Sequence, residues 1–316
     1  MEEETPDLPR RDSAPVEVIR ALGVLSEPPG PEHVGIAEAL DLGHVPDHTR
    51  YAELFLFQLY PYASVYLGPE GMLGGEARSR IGGFWRAVGR PPPAEPDHLG
   101  ALLGLYAGLL AEAERVEGAG SELAHRAATA LLHEHLASWC FPYLQRIREL
   151  DPGFFGRWAA LLLETLEGRL RLEGSPDVLP SHLRDAPGLA DPRTKGGKGF
   201  LSELFTPVRT GFILTRADLA ELAGDLELGL RLGERRYILE HLLAQEPETV
   251  LEHIARRAQR DADEHRRRQS TLGVVAGFWA DRAAATGSLL RELARQGRAD
   301  MAAPEASSEI RHSSPP

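Results

Sequence analysis

One short segment brings two carboxylates and an imidazole together: Ala94-Glu95-Pro96-Asp97-His98. An acid beside a histidine has the residue types for proton transfer or for two ligands to a metal. The plainer reading is a helix start, with Asp97 accepting from the free N–H groups of the helix that follows and Pro96 pre-setting the chain. Other clusters are weaker. His133-Glu134-His135 resembles a chelate, but side chains two apart diverge on a helix, and His135 falls on an apolar face with Leu131, Leu132 and Trp139. His44 and His48 have i, i+4 spacing, but Pro46 lies between them and spoils the helix. Asp261, Asp263, Glu264 and His265 lie in the charged run from Arg256 to Arg268, which reads as a solvated helix face laced with i, i+4 ion pairs. The lone Cys140, between Trp139 and Phe141, reads as a packed thiol. It excludes an internal disulfide and a thiolate metal cluster within one chain. There is no Gly-x-Ser-x-Gly elbow, and Gly196-Gly197-Lys198-Gly199 lacks the spacing and preceding strand of a phosphate loop. No catalytic set, metal site or cofactor site is expected.

The elements around the acidic segment are helical. Asp47 is placed to cap a helix from about Thr49, which Pro61 kinks before Tyr62–Leu67; Gly68, Gly71, Gly74 and Gly75 then form a turn. Glu76–Val88 reads as a helix, ended by Gly89 and Pro91-Pro92-Pro93. Leu99, Leu102, Leu103, Tyr106, Leu109, Leu110 and Ala113 trace the best amphipathic face in the chain. Further helices are read from Ser121 until Pro142 interrupts, over Phe154–Leu172, from Thr215 as a cap for Arg216–Glu227, and over Glu234–Ala244, Glu248–Arg268 and Leu272–Arg295. Pro28-Pro29-Gly30-Pro31 breaks a short helix over Val16–Leu25. Of the aromatics Phe55, Phe57, Tyr60, Tyr62 and Tyr66, most are expected in the core and a minority along a groove. No useful β-alternation and no internal repeat is present, so the fold class is all-α.

Composition narrows the function. The net charge of −12 repels phosphate backbones and argues against nucleic-acid binding. Met1-Glu2-Glu3-Glu4 is acidic where a signal peptide would be basic, and Arg10-Arg11 is followed by Asp12-Ser13-Ala14-Pro15 in place of an apolar run. No window reaches the ~18 consecutive apolar residues of a membrane helix. A cytoplasmic protein without stable membrane insertion is expected.

Tyr62-Ala63-Ser64-Val65-Tyr66-Leu67-Gly68, the Gly83-Phe84-Trp85 helix, Glu95-Pro96-Asp97-His98-Leu99 and Glu134-His135-Leu136 with Trp139 together resemble the TorD/DmsD/NarJ-type chaperones for molybdenum redox enzymes. The likeness spans about residues 50–145 and is weak beyond 173–199. It implies a helical bundle of the TorD-like chaperone type with disordered termini. The implied role is to bind an apo molybdopterin-dependent oxidoreductase subunit, often through its twin-arginine signal peptide, while the cofactor is inserted. Carried over, Glu95, Asp97 and His98 mark the peptide-binding region; Phe84 and Trp85 are placed beside it as apolar contacts. Acidic residues on an apolar trough would draw the basic pair of such a peptide. The chain then divides into a disordered tail 1–15, a TorD-like helical domain 16–172 carrying the acidic Asp–His loop, a polar loop 173–199, a C-terminal helical region 200–298 packing on the first, and a disordered tail 299–316. The 173–199 loop is long enough for the domain exchange of some such relatives, which leaves room for a homodimer. Two alternatives stand beside this reading: a small helical metal-dependent hydrolase using Asp97 and His98, and a helical ligand-binding module.

Overall fold

The computed structural model describes residues 16–195 and 199–302. The tails expected at 1–15 and 299–316 lie outside these residues, except that 299–302 continue the last helix, and Gly196, Gly197 and Lys198 lie outside as well. Every regular element among the described residues is helical. In the first half run α1 (Val16–Val24), α2 (Pro31–Ala39), α3 (His48–Tyr51), α4 (Ala63–Leu67), α5 (Gly75–Ala87), α6 (Leu99–Arg115), α7 (Ala119–Ala130), α8 (Cys140–Leu150) and α9 (Phe154–Glu173). The short α10 (Ser181–Arg184), α11 (Pro192–Lys195), α12 (Phe200–Glu203) and α13 (Pro207–Thr210) lead to α14 (Arg216–Asp225), α15 (Arg235–Gln245), α16 (Pro247–Arg267), α17 (Gln269–Leu272) and α18 (Val274–Ala302).

Local chemistry explains several boundaries. Asp47 caps α3 as expected, accepting from Arg50 N–H at 2.9 Å. Thr215 and Asp218 form a reciprocal capping box at the start of α14. The helix α2 was not anticipated: Pro31 sits in its first turn, where a missing N–H costs nothing. Pro142 likewise opens α8 instead of interrupting a helix. The break falls just before it, where α7 widens into a π turn over Leu131–Leu136 and Ala137 N–H donates to Leu132 O at 2.7 Å. Nearby main-chain oxygens take buried indole donors, Trp139 bonding His135 O at 2.8 Å and Trp279 bonding Ser138 O at 2.9 Å.

The apolar residues gather into two clusters. One is built on α1 to α9, around Phe55, Tyr66, Tyr106, Trp139 and Trp158; the other lies among α12 to α16, around Phe212, Leu219, Leu239 and Ile254. Helix α18 serves both, giving Val275 and Trp279 to the first and Leu290 to the second. Its hairpin with α16 is close-packed because small residues face each other: a Cβ on Gly287 would stand 3.2 Å from Ala255 O and 3.6 Å from Ala258 Cβ. The 173–195 stretch is packed down: Leu183 is wholly buried in the first cluster, Ser175 Oγ donates to Thr271 O at 2.8 Å, and Leu189 N–H donates to Arg209 O at 3.1 Å.

The charged face of α16 departs from expectation at Asp261. Arg257 reaches Asp261 (3.2 Å), Glu149 (2.7 Å) and Asp218 (3.6 Å), while Arg146 reaches Asp218 at 2.8 Å and also pairs with Glu149. This half-buried network ties α8 and α14 to α16, and burial raises the Asp261 carboxyl to about 6. Asp263 and Glu264 do make the expected surface pairs, with Arg266 and Arg268.

Candidate partner-binding site

The acidic segment folds as a clasp against the start of α4. Tyr62 and His98 form an isolated antiparallel bridge, and Leu99 N–H donates to Pro61 O at 2.8 Å. That pairing turns Asp97 away from α6 and toward α4. Its carbonyl accepts from Ala63 N–H at 3.0 Å and its carboxylate from Ser64 N–H at 3.2 Å, filling two of the free donors at the α4 N-terminus. Asp97 therefore does not cap the helix that follows it. His98 takes that position: its Nδ1 lies 3.1 Å from Gly100 N and also 3.1 Å from Glu27 Oε1. A neutral ring with a lone pair there caps α6, and a proton there turns the bond to Glu27. This contact holds the Glu27 carboxyl below the usual carboxylate range, against the opposing effect of its partial burial.

The five residues singled out in the sequence separate by exposure. Asp97 and His98 are 1% and 4% exposed and spend their polar atoms within the chain. Glu95 is exposed and accepts from Tyr62 Oη at 2.6 Å. Burial and then this carboxylate raise the Tyr62 phenol above its usual range. Phe84 and Trp85 are half-buried on α5. Trp85 Nε1 donates to Pro96 O at 3.2 Å and Phe84 sets its ring edge against His135, centroids 4.9 Å apart. Both hold the loop and its surroundings.

The open groove lies on the other side of α4. A cavity of about 750 Å³ runs between Phe57, Tyr60 and Val65 on one wall and Phe205, Arg216 and Arg235 on the other. A second of about 290 Å³ continues it, sharing Phe57 and Arg216. Apolar side chains stand open along it: Phe57 is 57% exposed, Met72 66% and Leu73 55%. Phe57 and Tyr60 are thus the minority of the aromatic group that lines a groove, while Phe55 and Tyr66 are core. Glu70 and Glu234 supply acid to the lining, against Arg216, Arg235 and Arg236.

Hydrogen bonds relay the clasp to this trough. Ser64, held by Asp97, accepts from Gly74 N–H through Oγ at 3.1 Å and so anchors the turn that carries Met72 and Leu73. Arg209 donates to Pro69 O at 2.8 Å from the other side. Gly71 is needed there twice over, with φ at +64° and Thr206 Oγ1 only 2.9 Å from where a Cβ would stand. The far wall is set by Gln58, whose Oε1 accepts from Arg216 N–H (3.1 Å) and Ala217 N–H (3.3 Å) at the start of α14. Sequence reasoning missed this wall because its residues lie more than 120 positions away. The available signal was the Thr215 cap, followed by an open apolar loop in which Leu232 is 95% exposed.

The remaining candidates are structural. Cys140 is wholly buried and its thiol is pushed well up by burial. His265 is buried against Gly211 O at 3.1 Å. Among the described residues no group of three or more His, Cys, Asp or Glu side chains is arranged to hold a metal ion, and no helix is long and apolar enough to cross a membrane.

The chain is thus all-α, with an acid–His clasp bracing a trough of exposed apolar side chains. Residues 35–144 match the family model described as nitrate reductase delta subunit, and over this stretch the chain is similar to that family. The match contains the clasp and the Phe57–Leu73 wall of the trough; the Phe205–Arg236 wall lies beyond it. Comparison with curated proteins and with solved structures gave no match.

Proposed function

We propose that this chain is a non-catalytic cytoplasmic maturation chaperone that binds the apo catalytic subunit of a molybdopterin-dependent oxidoreductase, through its signal peptide or its mature surface, until the cofactor is in place. The observation that carries this reading is the run of open Phe57, Met72 and Leu73 on a trough whose first wall lies inside the matched stretch. Exposed apolar side chains clustered on a concave face are a liability without a partner and an anchor with one. The acidic-loop residues enter in two roles. Glu95, with the partly exposed faces of Phe84 and Trp85, offers a second contact for a basic client segment, whereas Asp97 and His98 act by holding α4 and α6 in position.

The test is co-purification of an apo molybdopterin oxidoreductase catalytic subunit with the full-length chain, together with an anisotropy titration of that subunit's signal peptide. Phe57→Asp and Leu73→Asp are expected to weaken client capture at least tenfold while leaving the helical signal intact, and Glu95→Lys to weaken the peptide titration. Capture that survives Phe57→Asp, Leu73→Asp and Glu95→Lys unchanged would overturn the proposal.

A further inference from the structure

The chain holds a second polar site, apart from the clasp and the trough. On α5, Arg80 has both Nε and Nη2 out of solvent and without a hydrogen-bond partner among the described residues. Arg146, Arg257 and Arg282 also have one nitrogen without a hydrogen bond, but each engages a carboxylate or carbonyl through another nitrogen. One turn on from Arg80, Phe84 lies against His135, centroids 4.9 Å apart, and the charge of Arg80 acts on both His135 and His182, which come from different elements. His135 comes from the π turn after α7 and is 3% exposed, with Nδ1 unpaired; His182 comes from α10, with Nε2 unpaired. Their rings are parallel within 4°, centroids 6.4 Å apart. Burial first, and then the charge of Arg80, lower the two imidazoles to about 4 and about 3, so both are neutral at pH 7. Glu76 and Glu134 act on Arg80 only at a distance.

We propose that Arg80, His135 and His182 bind a phosphate group. A half-buried guanidinium with no carboxylate in contact is costly, and pairing with an anion removes the cost. The unpaired Nε and Nη2 form one edge of the guanidinium, the fork that takes two oxygens of an oxyanion side by side. Neutral His135 and His182 can each place their single N–H on the unpaired nitrogen, which would offer two further donors to the remaining oxygens. Four donors from three elements suit a tetrahedral oxyanion better than a two-oxygen carboxylate. A groove of about 530 Å³ is lined by His133, Glu134 and Ser181, chain neighbours of the two histidines, with Arg126 and Arg184. It gives room for the rest of a phosphate ester. The bound group would join the α10 segment to α5 and the π turn.

The test uses the full-length chain in phosphate-free buffer, with calorimetric and thermal-shift titrations of inorganic phosphate, glycerol phosphate, and chloride at matched ionic strength. Saturable one-to-one binding is expected for at least one phosphate probe, and a preference between the two tells a phosphorylated molecule from the free ion. Arg80→Gln and, independently, the half-buried His182→Gln are expected to raise Kd at least tenfold with the helical signal unchanged. Stabilisation that never saturates, that chloride reproduces, or that persists in both variants overturns the site. The outcome is independent of client capture at the trough.

Discussion

Among single residues, Asp97 is buried and spends its acceptors on the N-terminus of α4. Its carboxylate and carbonyl together take the first two N–H groups of α4, and Ser64, which it holds, carries the turn bearing Met72 and Leu73. Leaving the Ser64 N–H unpaired in a buried setting costs about 1–3 kcal/mol. Asp97→Ala should therefore lower unfolding stability by about that amount in urea titrations, while Asp97→Asn, which keeps an acceptor oxygen, loses less than half as much. Glu95→Gln, at the exposed end of the same loop, should leave stability within about 0.5 kcal/mol. Equal losses for Asp97→Ala and Asp97→Asn would show that charge, and not the accepted hydrogen bond, is what α4 needs.

At the scale of elements, the packing of α1 on α6 turns on one missing side chain. A Cβ on Gly100 would stand 2.9 Å from Gly23 O and 2.9 Å from Ser26 Oγ, and a main-chain oxygen cannot swing aside. Gly104, one turn on, has nothing within 4 Å of its Cβ position. Alanine in place of glycine gains up to about 1 kcal/mol of helix propensity, but overpacking costs about 1–3 kcal/mol. Gly100→Ala should destabilise the chain and Gly104→Ala should stabilise it, read as opposite shifts of Tm. Shifts of the same sign would mean that α1 adjusts freely against α6. The same contacts bear on the clasp, because Glu27, at the end of α1, meets His98 at the head of α6.

Across the whole molecule, a buried histidine ties α16 to the turn after α13. His265 on α16 bonds Gly211 O after α13, and burial lowers its imidazole to about 4 from an ordinary 6.5. Because the folded state resists the proton that the unfolded chain accepts, its contribution is present above about pH 6.5 and is lost as pH falls through about 4. The loss is on the order of 2–3 kcal/mol. Asp261 works in the opposite sense: its raised carboxyl favours the folded state at low pH, an advantage that fades as pH rises through about 6. Comparing wild type with His265→Gln leaves Asp261 unchanged and isolates the histidine. Urea titrations from pH 7 to 4.5 should show a steeper fall in stability for the wild type, and parallel curves would rule out His265 as the sensor.

The all-α class was legible in the chain, because apolar residues recur at helical spacing and Gly, Pro and capping residues punctuate them. It showed the Asp47 and Thr215 caps, the amphipathic α6 and the short acid–His motif, all of which depend on residues within a few positions of one another. What those residues contact depends on elements brought together from far along the chain. The Tyr62–His98 bridge turns Asp97 onto α4, the Arg146–Arg257 network draws Asp261 off the surface, and the trough needs Phe57 and Arg235 from segments far apart in the chain. Local spacing cannot report such meetings, since the energy that selects them comes from burial and pairing between elements whose separation along the chain carries no periodic signal.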